Sequence, residues 1–324
     1  MKVTELLART NTDAWLVMKG REILAEEYFG QMEPGTRHLL MSVSKSLVSS
    51  VVGALTGQGV INVNRAVEHY IPVLSSSGYK GATVRNVLDM RSGVRFSESY
   101  LDPTSEVRQL DEAVGWSATK NGAACGLKAF LCEVQQERGH GGHFDYRSCE
   151  TDVLGWVCEA ATGRKFSDLA SELLWFPLAA DFDAWLSVDS AGTGIFDGGI
   201  SACLTDLALF GAMIRDGGVS LRGNRILSSD WVEDIFSGGR DSDQAFAAGS
   251  YAERMPGGKY RSQFWFLSKD RDAVFCLGIH GQMVYINRRT GVVGVKLSST
   301  PLPVDPFAGP ATAAMFNVIN DLLS

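Results

Sequence analysis

The sequence predicts an α+β protein in which an antiparallel sheet, flanked by helices, carries a mostly helical subdomain. Two observations lead to this prediction. Four strand-like runs separated by turns lie between residues 263 and 297, and a strand-turn-strand pattern lies between residues 14 and 28. Runs with helical spacing occupy much of the chain between these two regions. Because short turns join the consecutive strands, the sheet is expected to be an antiparallel meander.

The individual elements follow from hydrophobic periodicity. Residues 14–28 predict a hairpin with a turn at Lys19-Gly20, which completes the sheet formed by the later strands. Apolar residues at helical spacing predict a helix over residues 42–58, which ends near Gly57 and Gly59. Further helices are predicted around residues 84–90, 127–134, 150–163 and 207–214. The C-terminal helix is expected to use one apolar face, made of Met315, Val318, Ile319, Leu322 and Leu323.

This pattern predicts a single unit over residues 1–324 with two interleaved parts. Residues 1–58 and about 255–324 are expected to form the α/β part, and about 59–254 a mostly helical insertion. A cleft is then expected between the two parts, which is a common place for a functional site.

Composition and charge exclude several classes of function. The formal net charge of −7 does not favour a nucleic acid or an anionic membrane surface as a partner. No apolar run reaches about 18 residues, so no membrane span is expected. Residues 1–9 are too short and too charged for a signal peptide, which makes the cytoplasm the expected location. The six cysteines form no C-x-x-C pair, and no metal or cofactor motif is present, so no cofactor is expected.

The clearest catalytic signal is the string Ser42-Val43-Ser44-Lys45 at the start of the predicted helix 42–58. Two residues three apart on a helix share one face, so a hydroxyl lies beside an amine. This pair is sufficient for a serine nucleophile with a lysine base. Two other Ser-x-x-Lys strings, at residues 77–80 and 117–120, fall among turn residues. The alternative for the first string is a plain helix start with a solvated lysine.

Several strings together resemble the serine β-lactamase-like superfamily, which includes class C β-lactamases, DD-peptidases and related esterases. The nucleophile string runs from Ser42 to Leu47, and Tyr146-Arg147-Ser148 resembles the superfamily's Tyr-x-Asn motif with a serine in place of the asparagine. Residues 83–94 resemble the helix and turn that follow the nucleophile helix. The resemblance implies the β-lactamase/DD-peptidase-like fold.

Within this superfamily the chain is most similar to the 6-aminohexanoate-dimer hydrolases and their carboxylesterase relatives. The strings that carry this similarity are residues 38–47, 100–107, 278–282 and 295–299. The Lys-Thr-Gly motif of β-lactamases is absent, and Cys276-Leu277-Gly278 takes its place on the strand. The loss of that lysine argues against β-lactams as the main substrate. The resemblance thus implies a serine hydrolase of small esters or linear amides.

The resemblance also implies the catalytic groups. Ser42 would attack a carbonyl carbon and form an acyl-enzyme, and either Lys45 or Tyr146 would move the proton. Burial against the apolar helix favours the uncharged amine that a lysine base needs. The backbone N–H groups of Ser42 and Ile279 would stabilise the oxyanion.

A second set of residues is implied in substrate binding. Tyr100 would contact the amide nitrogen, Asp111 would receive a substrate ammonium as a lone carboxylate near the cleft, and Trp116 would close a loop over the site. A solvated loop aspartate and an ordinary packed tryptophan are the alternatives for the last two. Asp197 stands where the 6-aminohexanoate-dimer hydrolases have an amide side chain, and it either adds negative charge or shapes a turn. His280 has a structural role or lines the substrate site.

The expected partner is therefore a small-molecule ester or amide, and the resemblance suggests a homodimer. Two rivals remain open. One is a β-lactamase or DD-peptidase type of enzyme that recognises penicillins. The other is a catalytically silent binding protein of the same fold.

Overall fold

The structure is a computed structural model that describes residues 2–119, 124–268 and 272–324. Its strands are β1 (Thr12–Lys19), β2 (Glu22–Tyr28), β3 (His38–Leu39), β4 (Trp185–Leu186), β5 (Ile200–Ala202), β6 (Lys259–Arg261), β7 (Phe264–Phe266), β8 (Ala273–Gly278), β9 (Gln282–Asn287) and β10 (Val292–Ser298). Its helices are α1 (Val3–Arg9), α2 (Ser44–Gly57), α3 (Val84–Leu88), α4 (Glu106–Val114), α5 (Leu127–Glu133), α6 (Ser148–Thr162), α7 (Phe166–Ala170), α8 (Phe176–Leu178), α9 (Leu204–Arg215), α10 (Ser229–Ser237), α11 (Ser242–Ala247) and α12 (Ala308–Leu323).

Within the described residues, seven strands form one antiparallel sheet in the order β2-β1-β10-β9-β8-β7-β6. The predicted hairpin is β1 and β2, and the four late runs are β7 to β10. Strand β6 was not predicted, because three residues are too few to show a period of two. The strands β3, β5 and β4 form a second, small sheet. The predicted α+β class is confirmed.

The alternation of side chains along β10 separates two buried clusters on the two faces of the sheet. Val293, Val295 and Leu297 belong to the main core, and β10 packs there against α9. Lys296 and Ser298 lie on the other face, and both are buried. Successive side chains of a strand point to opposite faces, so this lysine is on the side away from α9.

The helix α2 is buried from Ser44 to Leu55 and packs against α6. Two of its serines donate to backbone carbonyls beside the sheet: Ser46 Oγ to Gln263 O at 2.7 Å, and Ser49 Oγ to Ser262 O at 2.6 Å. These bonds satisfy polar groups that would otherwise be costly to bury. They also hold the first turn of α2 in place relative to the end of the sheet.

Two features of the helices differ from the sequence prediction. Helix α4 was not predicted, although Val107, Leu110 and Val114 form its buried face. In α12, Met315 is buried, but Val318 and Leu322 are exposed. The packed face of α12 is instead made of Ala308, Thr312, Ala313, Met315, Phe316 and Asn320. A threonine and an asparagine lie inside this face, which is why a pattern based on apolar residues misplaced it.

The predicted division at about residues 58 and 255 remains a prediction. Helix α9 lies within the middle segment, and it packs on β1, β9 and β10 of the large sheet. None of the helices in the part of the chain that the structure describes is long and apolar enough to cross a membrane.

Candidate active site

A short turn of 3-10 helix, Met41–Val43, precedes α2 and carries Ser42. Met41 has a φ of 47°, in the left-handed region that few side chains adopt, so the backbone turns sharply just before Ser42. Lys45 lies on the first turn of α2, and its side chain is only 1% exposed. Lys45 Nζ donates to Ser42 Oγ at 3.0 Å. The hydroxyl and the amine that the sequence brings together are therefore in direct contact.

The segment that leads into α6 brings a serine and a tyrosine to the same lysine. Ser148, the first residue of α6, accepts a hydrogen bond from Lys45 Nζ at 3.2 Å. The Tyr146 ring centroid is 5.4 Å from Lys45 Nζ. Burial raises the pKa of Tyr146 well above its usual range, the charge of Glu98 adds to this shift, and a hydrogen bond with Ser42 opposes it. Tyr146 is thus a neutral phenol in contact with Ser42, not a phenolate.

Carboxyl groups also act on Lys45. Asp197 Oδ2 is 3.7 Å from Lys45 Nζ, and the backbone carbonyl of Asp197 accepts from the same Nζ at 2.6 Å. Asp152, which is fully buried in α6, accepts from the backbone N–H of Asp197 at 3.1 Å and of Phe196 at 2.9 Å. Burial raises the pKa of Asp152 well above its usual range, and the charge of Asp197 adds to this effect.

Glu98 provides a third carboxyl group at this site. It accepts a hydrogen bond from the backbone N–H of Ser148. Burial raises the pKa of Glu98, whereas the charge of Lys45 and hydrogen bonds from Tyr100 and Ser148 lower it. Tyr100 is therefore placed within contact of Glu98, and its own pKa is raised by burial and by the charge of that carboxylate.

The end of β8 lies against the backbone that leads to Ser42. A Cβ at Gly278 would be 2.6 Å from Leu40 O, so only glycine allows this approach. The turn Ile279–Gly281 follows and contacts the turn Met41–Val43. This packing brings the backbone of Ile279 beside that of Ser42, an arrangement in which two N–H groups can serve one oxyanion.

His280 is held by the backbone beyond β10. Its φ of 62° lies in the left-handed region. Its Nδ1 donates to Thr300 O at 2.7 Å, because a carbonyl oxygen can only accept. The ring lines a groove of about 420 Å³ together with Met41 and Arg37. This contact with Thr300 supports the structural alternative for His280.

The rim of the site contains Asp111 and Trp116. Asp111 is on α4 and is not a lone carboxylate, because Arg108 NH1 contacts Asp111 Oδ2 at 2.7 Å. The expectation of an unpaired carboxylate was wrong, since α4 itself was not foreseen and brings residues three apart to one face. Burial raises the pKa of Asp111 to about 6, Arg108 lowers it, and the charges of Asp197 and Glu98 raise it further.

Trp116 is 40% exposed, and its ring lies beside the loop that carries Asp197. A Cβ at Gly198 would be 3.3 Å from the Trp116 ring. The same Cβ would be 3.8 Å from the backbone of Met41. The indole therefore lies close to the turn Met41–Val43, which carries Ser42.

Sequence reasoning missed Glu98, Asp152 and Arg108. Asp152 had a usable signal, because an aspartate among the apolar positions of α6 must have partners when buried. Glu98 and Arg108 had none, since their roles depend on a loop and a helix that were not predicted. Of the other Ser-x-x-Lys strings, residues 77–80 form a turn, and Lys120 lies outside the described residues.

Comparisons with known proteins agree with this geometry. The family described as Beta-lactamase matches residues 2–316. The chain belongs to the β-lactamase family. It is 42% identical to the 6-aminohexanoate-dimer hydrolase of Paenarthrobacter ureafaciens over 297 aligned residues. These residues make up 92% of this chain and 75% of that protein. This member of the β-lactamase family is a serine hydrolase.

Solved structures of the β-lactamase fold superpose over nearly the whole chain. A Bacillus anthracis protein assigned as a 6-aminohexanoate-dimer hydrolase has a TM-score of 0.89 at 24% identity, covering 100% of this chain and 82% of that one. An octameric penicillin-binding protein homologue from Pyrococcus abyssi has a TM-score of 0.72 at 16% identity, covering 97% and 76%. At these identities the likeness supports the fold.

Proposed function

We propose that this enzyme hydrolyses a small ester or linear amide through an acyl-enzyme on Ser42. The observation that carries the proposal is the contact network of Lys45, whose Nζ lies 3.0 Å from Ser42 Oγ while Tyr146 hydrogen-bonds the same serine. A free serine hydroxyl is a weak nucleophile, so it needs a group that removes its proton. Both candidates for that group are in reach here.

Lys45 is the better base and Tyr146 the better proton donor. The raised pKa of Tyr146 keeps its hydroxyl protonated, so it can give a proton to a leaving group but is not a ready acceptor. Lys45 accepts the Ser42 proton, and Tyr146 passes a proton to the leaving nitrogen or oxygen. General acid and base groups of this kind contribute about 10²–10⁴-fold.

The oxyanion would lie between the end of β8 and the turn Met41–Val43, which precedes α2. The backbone N–H groups of Ser42 and Ile279 donate to the developing negative charge on the carbonyl oxygen. The close approach of Gly278 to Leu40 supports this arrangement, because it holds the two backbones together before substrate binds. Preorganised donors of this kind are worth about 10²–10³-fold each.

The rim favours a substrate with a cationic amine. Asp197 contacts Lys45, and its charge also acts on Asp111, so we take the two carboxylates to face one entrance. The curated relative is named for the dimer of 6-aminohexanoate, a linear amide with an amine at one end. We therefore take a 6-aminohexanoate-dimer-like amide or the matching ester as the substrate class. Tyr100 would contact the amide nitrogen of this substrate, and Trp116 would close over the site.

A penicillin-type substrate is less compatible with the site. A β-lactam carries a carboxylate, which needs a cation beside the strand that ends at Gly278. Strand β8 has Cys276 and Leu277 at the corresponding positions, and Cys276 is buried. Acylation by a chromogenic cephalosporin, compared with acylation by an ester, tests this alternative directly.

The proposed function is tested by hydrolysis of short-chain p-nitrophenyl esters and then of the 6-aminohexanoate dimer. We expect Ser42-dependent turnover of both. A folded wild-type protein that cleaves neither would favour the silent binding protein. A homodimer and a cytoplasmic location remain predictions, which light scattering of the purified protein and cell fractionation can check.

A further inference from the structure

Lys45 makes two contacts with one residue, Asp197. The backbone carbonyl of Asp197 accepts a hydrogen bond from Lys45 Nζ at 2.6 Å, and the carboxylate lies 3.7 Å from the same atom. The lysine side chain is 1% exposed and the aspartate side chain 14%. Because solvent screens such a pair poorly, the two opposite charges attract each other strongly. An ammonium held in this pair has no lone pair with which to accept a proton from Ser42.

Asp152 keeps Asp197 in this position. It accepts from the backbone N–H groups of Phe196 and Asp197, and its second oxygen has no hydrogen-bond partner among the described residues. The loop at residues 196–197 is therefore held by its backbone, which leaves the Asp197 side chain free to exchange partners. Gly198 follows directly, and the Trp116 ring lies beside it.

Asp197 also faces the rim of the site. Burial raises the pKa of Asp111, and the charge of Asp197 raises it further. Asp111 is already paired with Arg108 at 2.7 Å. The ion pair between Asp197 and Lys45, at 3.7 Å, is longer than the pair between Asp111 and Arg108. A cation that enters at this rim can therefore pair more easily with Asp197 than with Asp111.

We propose that Asp197 is an exchangeable counter-ion of Lys45, which a cationic group of the substrate takes over so that Lys45 becomes a base. The proposal rests on the proposed function, and it makes Asp197 a positioning residue that acts through Lys45. A cationic substrate thereby promotes its own hydrolysis, whereas a neutral substrate meets a lysine that is still paired.

The proton balance is as follows. When the substrate ammonium pairs with Asp197, Lys45 releases one proton to solvent and becomes an amine. The amine then accepts the proton of Ser42 as Oγ bonds to the carbonyl carbon. The bond from that carbon to the leaving nitrogen or oxygen breaks, and the leaving atom takes one proton from Tyr146, which regains it from Lys45. Water then attacks the acyl carbon and gives one proton to Lys45, the bond from that carbon to Oγ breaks, and Oγ takes that proton from Lys45. The carboxylic acid leaves, and Lys45 takes one proton back from solvent when the cationic product has left Asp197.

Other titratable groups face Lys45 and must be considered in any pH profile. Glu98 comes from the loop before α4, Asp152 from α6 and Tyr146 from the segment before α6, in addition to Asp197 itself. The test therefore compares two substrates on one enzyme, so that these groups contribute equally to both profiles.

The experiment measures kcat and kcat/KM between pH 5 and 9 for p-nitrophenyl 6-aminohexanoate and p-nitrophenyl heptanoate, which differ by an ammonium against a methyl group. The acidic limb of kcat/KM reports the free enzyme, and that of kcat reports the complex. We expect the kcat/KM limbs to coincide. The kcat limb of the cationic ester should lie at lower pH by about 1–3 units, the shift typical of one nearby opposite charge.

Asp197→Asn keeps the shape and the backbone carbonyl but removes the charge. We expect its kcat/KM limb to move to lower pH for both esters, and the difference between the two kcat limbs to disappear. Asp197→Glu should restore the wild-type pattern. Glu172→Gln removes one charge from an exposed pair with Arg164 and should leave all limbs in place.

Coincident kcat limbs in the wild type, or an Asp197→Asn enzyme that is slower by the same factor at every pH, would overturn the counter-ion role. Either result would leave the proposed function intact, provided that turnover still requires Ser42. Loss of the proposed function would look different, because neither ester would then be cleaved by the wild type, or Ser42→Ala would retain activity.

Discussion

Two buried lysines each contact a serine hydroxyl, but they lie in different surroundings. Lys45 donates to Ser42 at the cleft, with Asp197, Asp152 and Glu98 close by. Lys296 donates to Ser298 on the opposite face of the sheet, and its other hydrogen bond goes to the carbonyl of Thr10. Both side chains are almost fully buried. In the proposed function only the first pair is catalytic, so burial and a serine neighbour would not be enough to make a catalytic pair.

The difference lies in what else reaches the lysine. Lys296 has the charge of Asp13 as its electrostatic partner, and burial lowers its pKa to about 8. Lys45 has a carboxylate in direct ion-pair contact, a neutral phenol and an adjacent backbone turn that can hold an oxyanion. The comparison teaches that a Ser–Lys pair becomes useful when its surroundings can both receive and return a proton.

The largest expected effect is a loss of esterase activity when Ser42, but not Ser298, is replaced. Ser42→Ala should lower kcat/KM for p-nitrophenyl esters by at least about 10³-fold, because no other group can form the acyl-enzyme. Ser298→Ala is the matched control. It should retain turnover and lose about 1 kcal/mol of unfolding free energy, since it removes one hydrogen bond. Comparable losses of activity in both variants would end the distinction between the pairs.

The next effect tests the backbone on the other side of Ser42. Gly278→Ala should lower kcat by about 10²–10³-fold, because its Cβ would lie 2.6 Å from Leu40 O and push the Ile279 backbone away from the oxyanion. Gly309→Ala meets no atom within 4 Å and serves as the control. Steady-state kinetics and circular dichroism of both variants would check this. An active Gly278→Ala enzyme would refute the oxyanion arrangement.

A smaller effect concerns the charge at the rim. Asp111→Asn should lower kcat/KM for the 6-aminohexanoyl ester by about 10–100-fold relative to the heptanoyl ester, in line with the loss of a charged hydrogen bond. Burial raises the pKa of Asp111 to about 6. The preference of the wild type for the cationic ester should therefore grow as pH rises through about 6 and be constant above it. Equal losses on both esters would argue against an ammonium site.

The last prediction concerns stability. The pKa of Lys296 is about 8 in the folded protein against 10.5 for an ordinary lysine, so the unfolded chain binds more protons between these values. Lys296 should therefore add up to about 3 kcal/mol of stability as pH rises from 8 to 10.5. Lys296→Met should lack this rise and retain esterase activity. Denaturant unfolding at pH 7 to 10 measures it, and parallel curves for the two proteins would contradict it.

Local pattern was enough for most of the fold. The helix that begins after Ser42 has a clear period of 3.6, and strands β7 to β10 are short apolar runs separated by turns. The contact between Ser42 and Lys45 was predictable from local spacing, since two residues three apart in a helical turn lie on one face. Strand β6 was not predictable, because a three-residue run has no period, whereas helix α4 was missed although Val107, Leu110 and Val114 recur at helical spacing.

The sequence by itself determined the α+β class and the Ser42–Lys45 contact, and the family resemblance implied the roles that we propose for Tyr146 and Ile279. The tertiary structure alone decided that Asp111 pairs with Arg108, that Asp197 contacts Lys45 and that Lys296 is buried away from the cleft. The physical reason is range. Helix and strand periods act between near neighbours, whereas the charge state of a buried group depends on residues that only folding brings within a few ångströms.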